Sequence, residues 1–213
     1  MSNIRITYSL IKDIVHIPTD VERPQQVKLR RQAIHQYRNQ LLEQAFNMPI
    51  DAESIIRTEQ GKPILKDHPK YQFNHSHSQS HYALATSQQL KDLGVDIEDI
   101  NRKVRFEELA RHAFHPEEFS MWQSLEEDPI YWFKVWTTKE AILKASGLGI
   151  RMNLKDLNTR VHPLQDGGMV EHENLGIFGY RNIHLAEAIV TVAWRSEQSC
   201  KGFNFPQIEL QQH

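Results

Sequence analysis

Cysteine is almost missing from this chain of 213 residues: Cys200 stands alone. That excludes an intrachain disulfide framework and makes the cytosol the expected compartment. Long apolar runs are missing as well. No stretch approaches the roughly 20 residues of a membrane-spanning helix, and Met1 to Leu10 lacks the apolar core of a signal peptide. An excess of one charge is absent too, since 25 Lys and Arg face 27 Asp and Glu for a formal net charge of −2. This argues against general binding of nucleic acid or of a membrane surface, while leaving room for a local basic patch. No low-complexity linker divides the chain. What remains, 39% hydrophobic and 24% charged residues, is ordinary for a globular protein with a real core, as one large domain or two small ones.

The most informative stretch is Trp136-Thr137-Thr138-Lys139-Glu140-Ala141-Ile142-Leu143-Lys144-Ala145-Ser146-Gly147. Asp128 before Pro129 marks a helix start, because the carboxylate can cap and Pro fits the first helical position. Gly147 marks the stop, since Gly reaches a left-handed cap without steric cost. Between them Trp136, Glu140 and Lys144 fall on one stripe, leaving Val135, Ile142 and Leu143 to pack elsewhere. Taken alone, Glu140 and Lys144 read more readily as an exposed pair worth roughly 0.3–0.5 kcal/mol.

A second stretch, Leu93-Gly94-Val95-Asp96-Ile97-Glu98, alternates with period two. Leu93, Val95 and Ile97 are expected to face a core, with Asp96 and Glu98 on the opposite face of a strand. Two carboxylates from a strand and a third, Glu140, from a helix form a hard-oxygen set suited to Mg²⁺. Like charges about 4 Å apart cost on the order of 4 kcal/mol per pair at an effective dielectric near 20, so a cation or a proton must offset them.

Elsewhere, residues Ile4 to Tyr8 and Asp13 to Ile17 read as short strands or extended segments. Pro24 to Phe46 reads as a helix with an apolar stripe of Val27, Ile34, Leu41 and Ala45. Lys28, Arg31, His35 and Arg38 border that stripe, where cations either hold an anion or snorkel into water. Gln60-Gly61-Lys62-Pro63 is a turn, on which a lysine is ordinarily solvated. Ser80 to Ser87 reads as a strand, Phe106 to Ala113 as a helix, and His115-Pro116-Glu117-Glu118 opens another helix through Trp122. Beyond Gly149 strands are expected at Leu157–Val161, Gly176–Tyr180 and Ala188–Trp194, with a turn at Asp166-Gly167-Gly168. The tail from Gln198 carries no usable periodicity. His75, His77 and His81 raise the alternative of zinc, although no cysteine pair supports it.

Gly94-Val95-Asp96-Ile97-Glu98 followed at this spacing by the Trp136–Gly147 stretch resembles the paired signature of the 4'-phosphopantetheinyl transferases, in the longer, surfactin-type branch. Gly61-Lys62-Pro63 and Phe73-Asn74-His75-Ser76-His77-Ser78 are similar to further segments of that family, which usually has Gly where Gln79 stands. The resemblance implies an α+β fold of two similar lobes with the cofactor site between them, here 1–92 and 93–213 in one compact unit. It implies transfer of the 4'-phosphopantetheine arm of coenzyme A to a serine of an apo acyl or peptidyl carrier protein, releasing adenosine 3',5'-bisphosphate. Asp96, Glu98 and Glu140 would then hold Mg²⁺ or Mn²⁺, and Glu140 would take the serine proton. Lys144 would face the pyrophosphate, with Lys62, Ser76, His77, Arg31 and Lys28 at the nucleotide. A monomer that binds neither membrane nor nucleic acid is expected. Carrier proteins of this kind are acidic, so docking calls for a local apolar or basic surface. Two rival readings stay open: a non-catalytic module binding a nucleotide or a carrier protein, and a zinc-dependent hydrolase.

Overall fold

In the computed structural model the described residues are 3–18, 20–149, 152–196 and 205–213; Cys200 lies outside them. The chain is α+β. It opens with β1 (Asn3–Leu10), a single helical turn α1 (Ile11–Ile14) and the long α2 (Arg23–Phe46). Strands β2 (Ile55–Arg57), β3 (Pro63–Leu65), β4 (Gln72–His77), β5 (His81–Ser87) and β6 (Gly94–Asp99) follow. Then come α3 (Phe106–Ala113), α4 (Pro116–Ser124) and α5 (Pro129–Ser146), and finally β7 (Gly167–His172), β8 (Gly176–His184), β9 (Ala188–Arg195) and β10 (Gln207–Gln212).

Among the described residues two four-stranded sheets form, ordered β10-β1-β5-β4 and β6-β9-β8-β7, with β2 and β3 as a separate ribbon. Strand alternation distributes the core. On β5, Tyr82 and Leu84 join Ile34, Leu41, Leu42 and Phe46 of α2. Ala83 and Ala85 turn the other way, toward Val95 and Ile97 of β6 and Val190 and Val192 of β9. The opposite face of β9, Ile189 and Ala193, meets Trp132, Phe133, Ile142 and Leu143 of α5. Both sheets thus share an inner core while α2 and α5 cover their outer faces. Among the described residues no helix is long and apolar enough to cross a membrane.

The termini of α5 follow the local chemistry. Asp128 accepts from the N–H groups of Ile130 (3.2 Å) and Tyr131 (2.9 Å), and Gly147 closes the helix at φ 78°. Asn47 ends α2 in the same left-handed region, at φ 52°. A capping box of His115 and Glu118 starts α4.

Five expectations need correction. Asp13–Ile17 is not a strand: the chain coils into α1, and Ile11 is drawn into the core under α2. Val27 is 63% exposed, because the first turns of α2 are solvated and the buried stripe begins at Ile34. Leu157–Val161 forms no strand; Arg160 has φ 52°, and side chains rather than a ladder satisfy this segment. Lys139 Nζ donates to the carbonyls of Leu154 and Leu157, and Glu118 accepts the Thr159 N–H at 2.7 Å. Gly167 and Gly168 belong to β7 rather than to a turn: they pair with Arg181 and Tyr180 of β8, and a Cβ at 168 would lie 2.8 Å from the Tyr180 hydroxyl. Last, the tail that lacks periodicity supplies β10, whose parallel pairing with β1 places the end of the chain in the first sheet.

Candidate functional site

The site forms where β4, β6 and α5 come together. Gly94 makes the approach feasible: a Cβ there would sit 2.1 Å from the Ala141 carbonyl, so only glycine lets α5 lie this close to β6. A polar network fixes the helix to the sheet. Thr137 Oγ1 lies 2.6 Å from Thr191 Oγ1, and Asn182 Nδ2 donates to both Thr138 Oγ1 (3.0 Å) and Thr191 Oγ1 (2.7 Å). From β4, Asn74 Oδ1 accepts the Val95 N–H at 3.0 Å.

These contacts bring Asp96, Ser76 and Lys144 into one hydrogen-bonded group. Lys144 Nζ lies 2.7 Å from Asp96 Oδ1 and donates to Ser76 Oγ at 2.8 Å; Ser76 Oγ donates to Asp96 Oδ1 at 2.9 Å. Asp96 is buried, and its second oxygen, Oδ2, is buried with no hydrogen-bond partner among the described residues. Glu98 and Glu140 flank it, each half-buried. Burial, with the Asp96 charge as the next contribution, pushes the Glu98 carboxyl up to about 7. The same two causes, in the same order, raise Glu140, with Lys144 opposing them. That is the expected behaviour of carboxylates crowded in a poorly hydrated place.

Two contacts at Glu98 were not anticipated from the sequence. Trp136 Nε1 donates to Glu98 Oε1 at 3.2 Å while its ring stacks on Trp132, and the Arg102 guanidinium lies 3.3 Å from the same oxygen. Arg102 is four residues beyond Glu98, a spacing that could have flagged it. Among the described residues no group of three or more His, Cys, Asp or Glu side chains is gathered to hold a metal ion as it stands. His81 is engaged by Asp99 at 2.6 Å, His77 is exposed, and burial, with Arg38 as a second cause, holds His75 well below the ordinary histidine range.

Beside Lys144 a cleft of about 230 Å³ opens, lined by Arg57, Lys62, Asn74, His75 and Lys144 among others. Lys62 is half-buried rather than solvated. Its Nζ donates to the Ala145 carbonyl at 2.7 Å, near the negative end of the α5 dipole, and burial pulls its pKa down to about 8. Arg31 is not at this cleft. It lies with His35, Arg38 and Arg57 on a neighbouring one of about 500 Å³, and Arg57 and Pro63 line both. Lys28 lines neither and is exposed. Arg57 carried no signal of its own in the sequence, since its role depends on where the β2–β3 ribbon folds.

Residues 92–193 match the sequence model of the 4'-phosphopantetheinyl transferase superfamily. This span is nearly half of the chain and contains both motifs that carried the resemblance, which is borne out there. The chain is 36% identical over 110 residues to the 4'-phosphopantetheinyl transferase HetI of a Nostoc species, covering 49% of this chain and 46% of that protein. It is 33% identical over 111 residues to the 4'-phosphopantetheinyl transferase Sfp of Bacillus subtilis, covering 51% and 47%. To the 4'-phosphopantetheinyl transferase psf-1 of Bacillus pumilus it is 30% identical over 124 residues, covering 57% and 51%. The chain thus spans about half the length of the phosphopantetheinyl transferases it matches.

Proposed function

We propose that this protein moves the 4'-phosphopantetheine arm of coenzyme A onto a serine of an apo acyl or peptidyl carrier protein. The observation that carries the reading is the group Asp96–Ser76–Lys144, set between two carboxylates of raised pKa and open on a basic cleft. The relatives' activities and the span 92–193 support it.

In the reaction the serine oxygen bonds to the phosphorus bearing the pantetheine arm. The bond from that same phosphorus to the bridging oxygen breaks, the electron pair stays on that oxygen and leaves with adenosine 3',5'-bisphosphate, and the serine proton is taken by Glu140. Burial keeps Glu140 a better base than an ordinary glutamate, and such help is typically worth about 10²–10⁴-fold. Lys144 holds the diphosphate, and Ser76 orients Lys144 and Asp96. Lys62, His77 and Arg31 meet the nucleotide end, with Lys28 further out on α2. The Trp136 indole keeps Glu98 aimed at the site.

Asp96, Glu98 and Glu140 fit a hard divalent cation: all three offer oxygen, and Asp96 Oδ2 is buried with no partner among the described residues. Mg²⁺ or Mn²⁺ held there would neutralise charge on the diphosphate oxygens as a Lewis acid. On this reading 1–92 and 93–213 are two similar lobes of one unit with the cofactor between them, and β10 reaches back into the first lobe. A monomeric, cytoplasmic protein completes the proposal, resting on the lone cysteine and two lobes in one chain.

The test is incubation with coenzyme A, Mg²⁺ and a panel of apo carrier proteins, read by mass spectrometry. An added phosphopantetheine arm on at least one carrier is expected. Failure on every carrier, with coenzyme A still bound, would leave a non-catalytic binding module instead.

A further inference from the structure

Asp99 ends β6, but alternation turns it away from Asp96 and Glu98, toward the first sheet. There its carboxylate meets the loop joining β4 to β5. Ser78 Oγ donates to Asp99 Oδ1 at 2.7 Å, the Ser80 N–H donates to Oδ2 at 2.9 Å, and His81 Nδ1 lies 2.6 Å from Oδ1. Arg30 of α2 adds a bond of 3.1 Å to the Gln79 carbonyl.

The loop needs this support. His77 pairs with Tyr82, and the Ser78 N–H donates to the His81 carbonyl at 2.9 Å, so Gln79 and Ser80 form a two-residue hairpin loop. Two-residue loops favour turns with a positive φ at the first central residue or at both, because those turns match the twist of the strands. Neither Gln79 nor Ser80 has a positive φ. The hairpin therefore lacks the turn its loop length favours: the His81 N–H goes to Ser78 Oγ at 3.1 Å, and an external carboxylate holds the loop. Immediately before this loop on β4 stand Ser76 and His77.

We infer that Asp99, with His81, is a positioning residue: it clamps the 78–81 hairpin and thereby sets where Ser76 and His77 stand against Asp96 and Lys144. The inference rests on the transfer reading for its consequence, which is coenzyme A affinity, and not for its geometry. The clamp replaces what glycine would supply at 79, so glycine there should make it dispensable.

Calorimetry, steady-state kinetics and amide exchange on the full chain decide it. Asp99→Asn loses the carboxylate charge and one acceptor oxygen. The expected result is a coenzyme A dissociation constant raised roughly tenfold, as for loss of charge-assisted hydrogen bonds. KM should follow it while kcat at saturating coenzyme A stays within about threefold. The Ser78 amide, which needs no ligand to report, should exchange faster by a similar factor. In the double variant Asp99→Asn/Gln79→Gly, affinity and Ser78 protection should return to within about threefold of wild type. His81→Gln, which removes one of three contacts, should show the same pattern at smaller size and serves if Asp99→Asn does not fold. Unchanged affinity and Ser78 exchange in folded Asp99→Asn would overturn the inference, as would loss of affinity that glycine at 79 does not repair. If wild type itself fails to bind coenzyme A, the transfer reading falls, and Ser78 exchange still decides the clamp.

Discussion

Helix α5 carries lysine–carboxylate pairs at Lys134, Lys139 and Lys144, and the last two differ in almost every respect. Lys139 and Glu118 meet at 2.8 Å with side chains 1% and 2% exposed. The lysine also donates to the Leu154 and Leu157 carbonyls, and the carboxylate accepts from the Thr159 backbone. Lys144 and Asp96 meet at 2.7 Å, but here the lysine side chain is 28% exposed on a cleft and Asp96 Oδ2 has no partner among the described residues. The first pair is closed: it holds α4 and the 154–159 segment to α5. The second is open: Lys144 borders the cleft, and the buried Asp96 Oδ2 is left unused among the described residues. Buried polar groups are normally satisfied, so the complete pair reads as architecture, and the incomplete one is the pair that the proposed transfer uses.

The sharpest way to break this contrast lies between the pairs, at Glu140. Glu140→Ala should lower transfer by at least about 10²-fold, in line with loss of a general base, with circular dichroism and melting like wild type. Near-normal turnover in the mass-shift assay would take Glu140 out of the mechanism.

At the closed pair the loss should be in folding. Lys139→Ala leaves the Glu118 charge buried without its cation, which costs about 3–5 kcal/mol in urea unfolding. The paired replacement Lys139→Met/Glu118→Leu should recover much of that stability, and failure to recover would show that the ion pair does more than join three segments.

A smaller effect is expected at Lys62. Its pKa is lowered from 10.5 to about 8 by burial, so between those values the unfolded chain binds more protons than the folded one. Stability then rises with pH across that window, and the gain is lost as pH falls through about 8. The melting temperature of wild type relative to Lys62→Met should therefore climb from pH 8 to 10; a difference that does not change with pH would contradict the buried placement of this amine.

The same contrast shows what was legible beforehand. Helix ends at Asp128 and Gly147, the alternation of Leu93, Val95 and Ile97, and the stripe of Glu140 and Lys144 are local patterns, and they were readable because one element decides each. Thr137, Thr138 and Lys139 lie in the same motif yet serve packing, which only their partners Thr191, Asn182 and Glu118 reveal. Leu157–Val161 has a strand's composition, but its carbonyls and N–H groups were taken by side chains from α4 and α5. Arg57 and Asp99 owe their places to long-range packing, and β10 to a pairing across almost the whole chain. The basic run on α2 was legible as a pattern but not in its parts: Arg31 reaches a cleft and Lys28 does not.

Calorimetric titration of coenzyme A into wild type and into folded Lys144→Ala puts the open pair to trial. Binding by wild type, and a dissociation constant at least tenfold higher for the variant, is the expected result. Equal dissociation constants for the two proteins would mean that Lys144 does not hold the diphosphate.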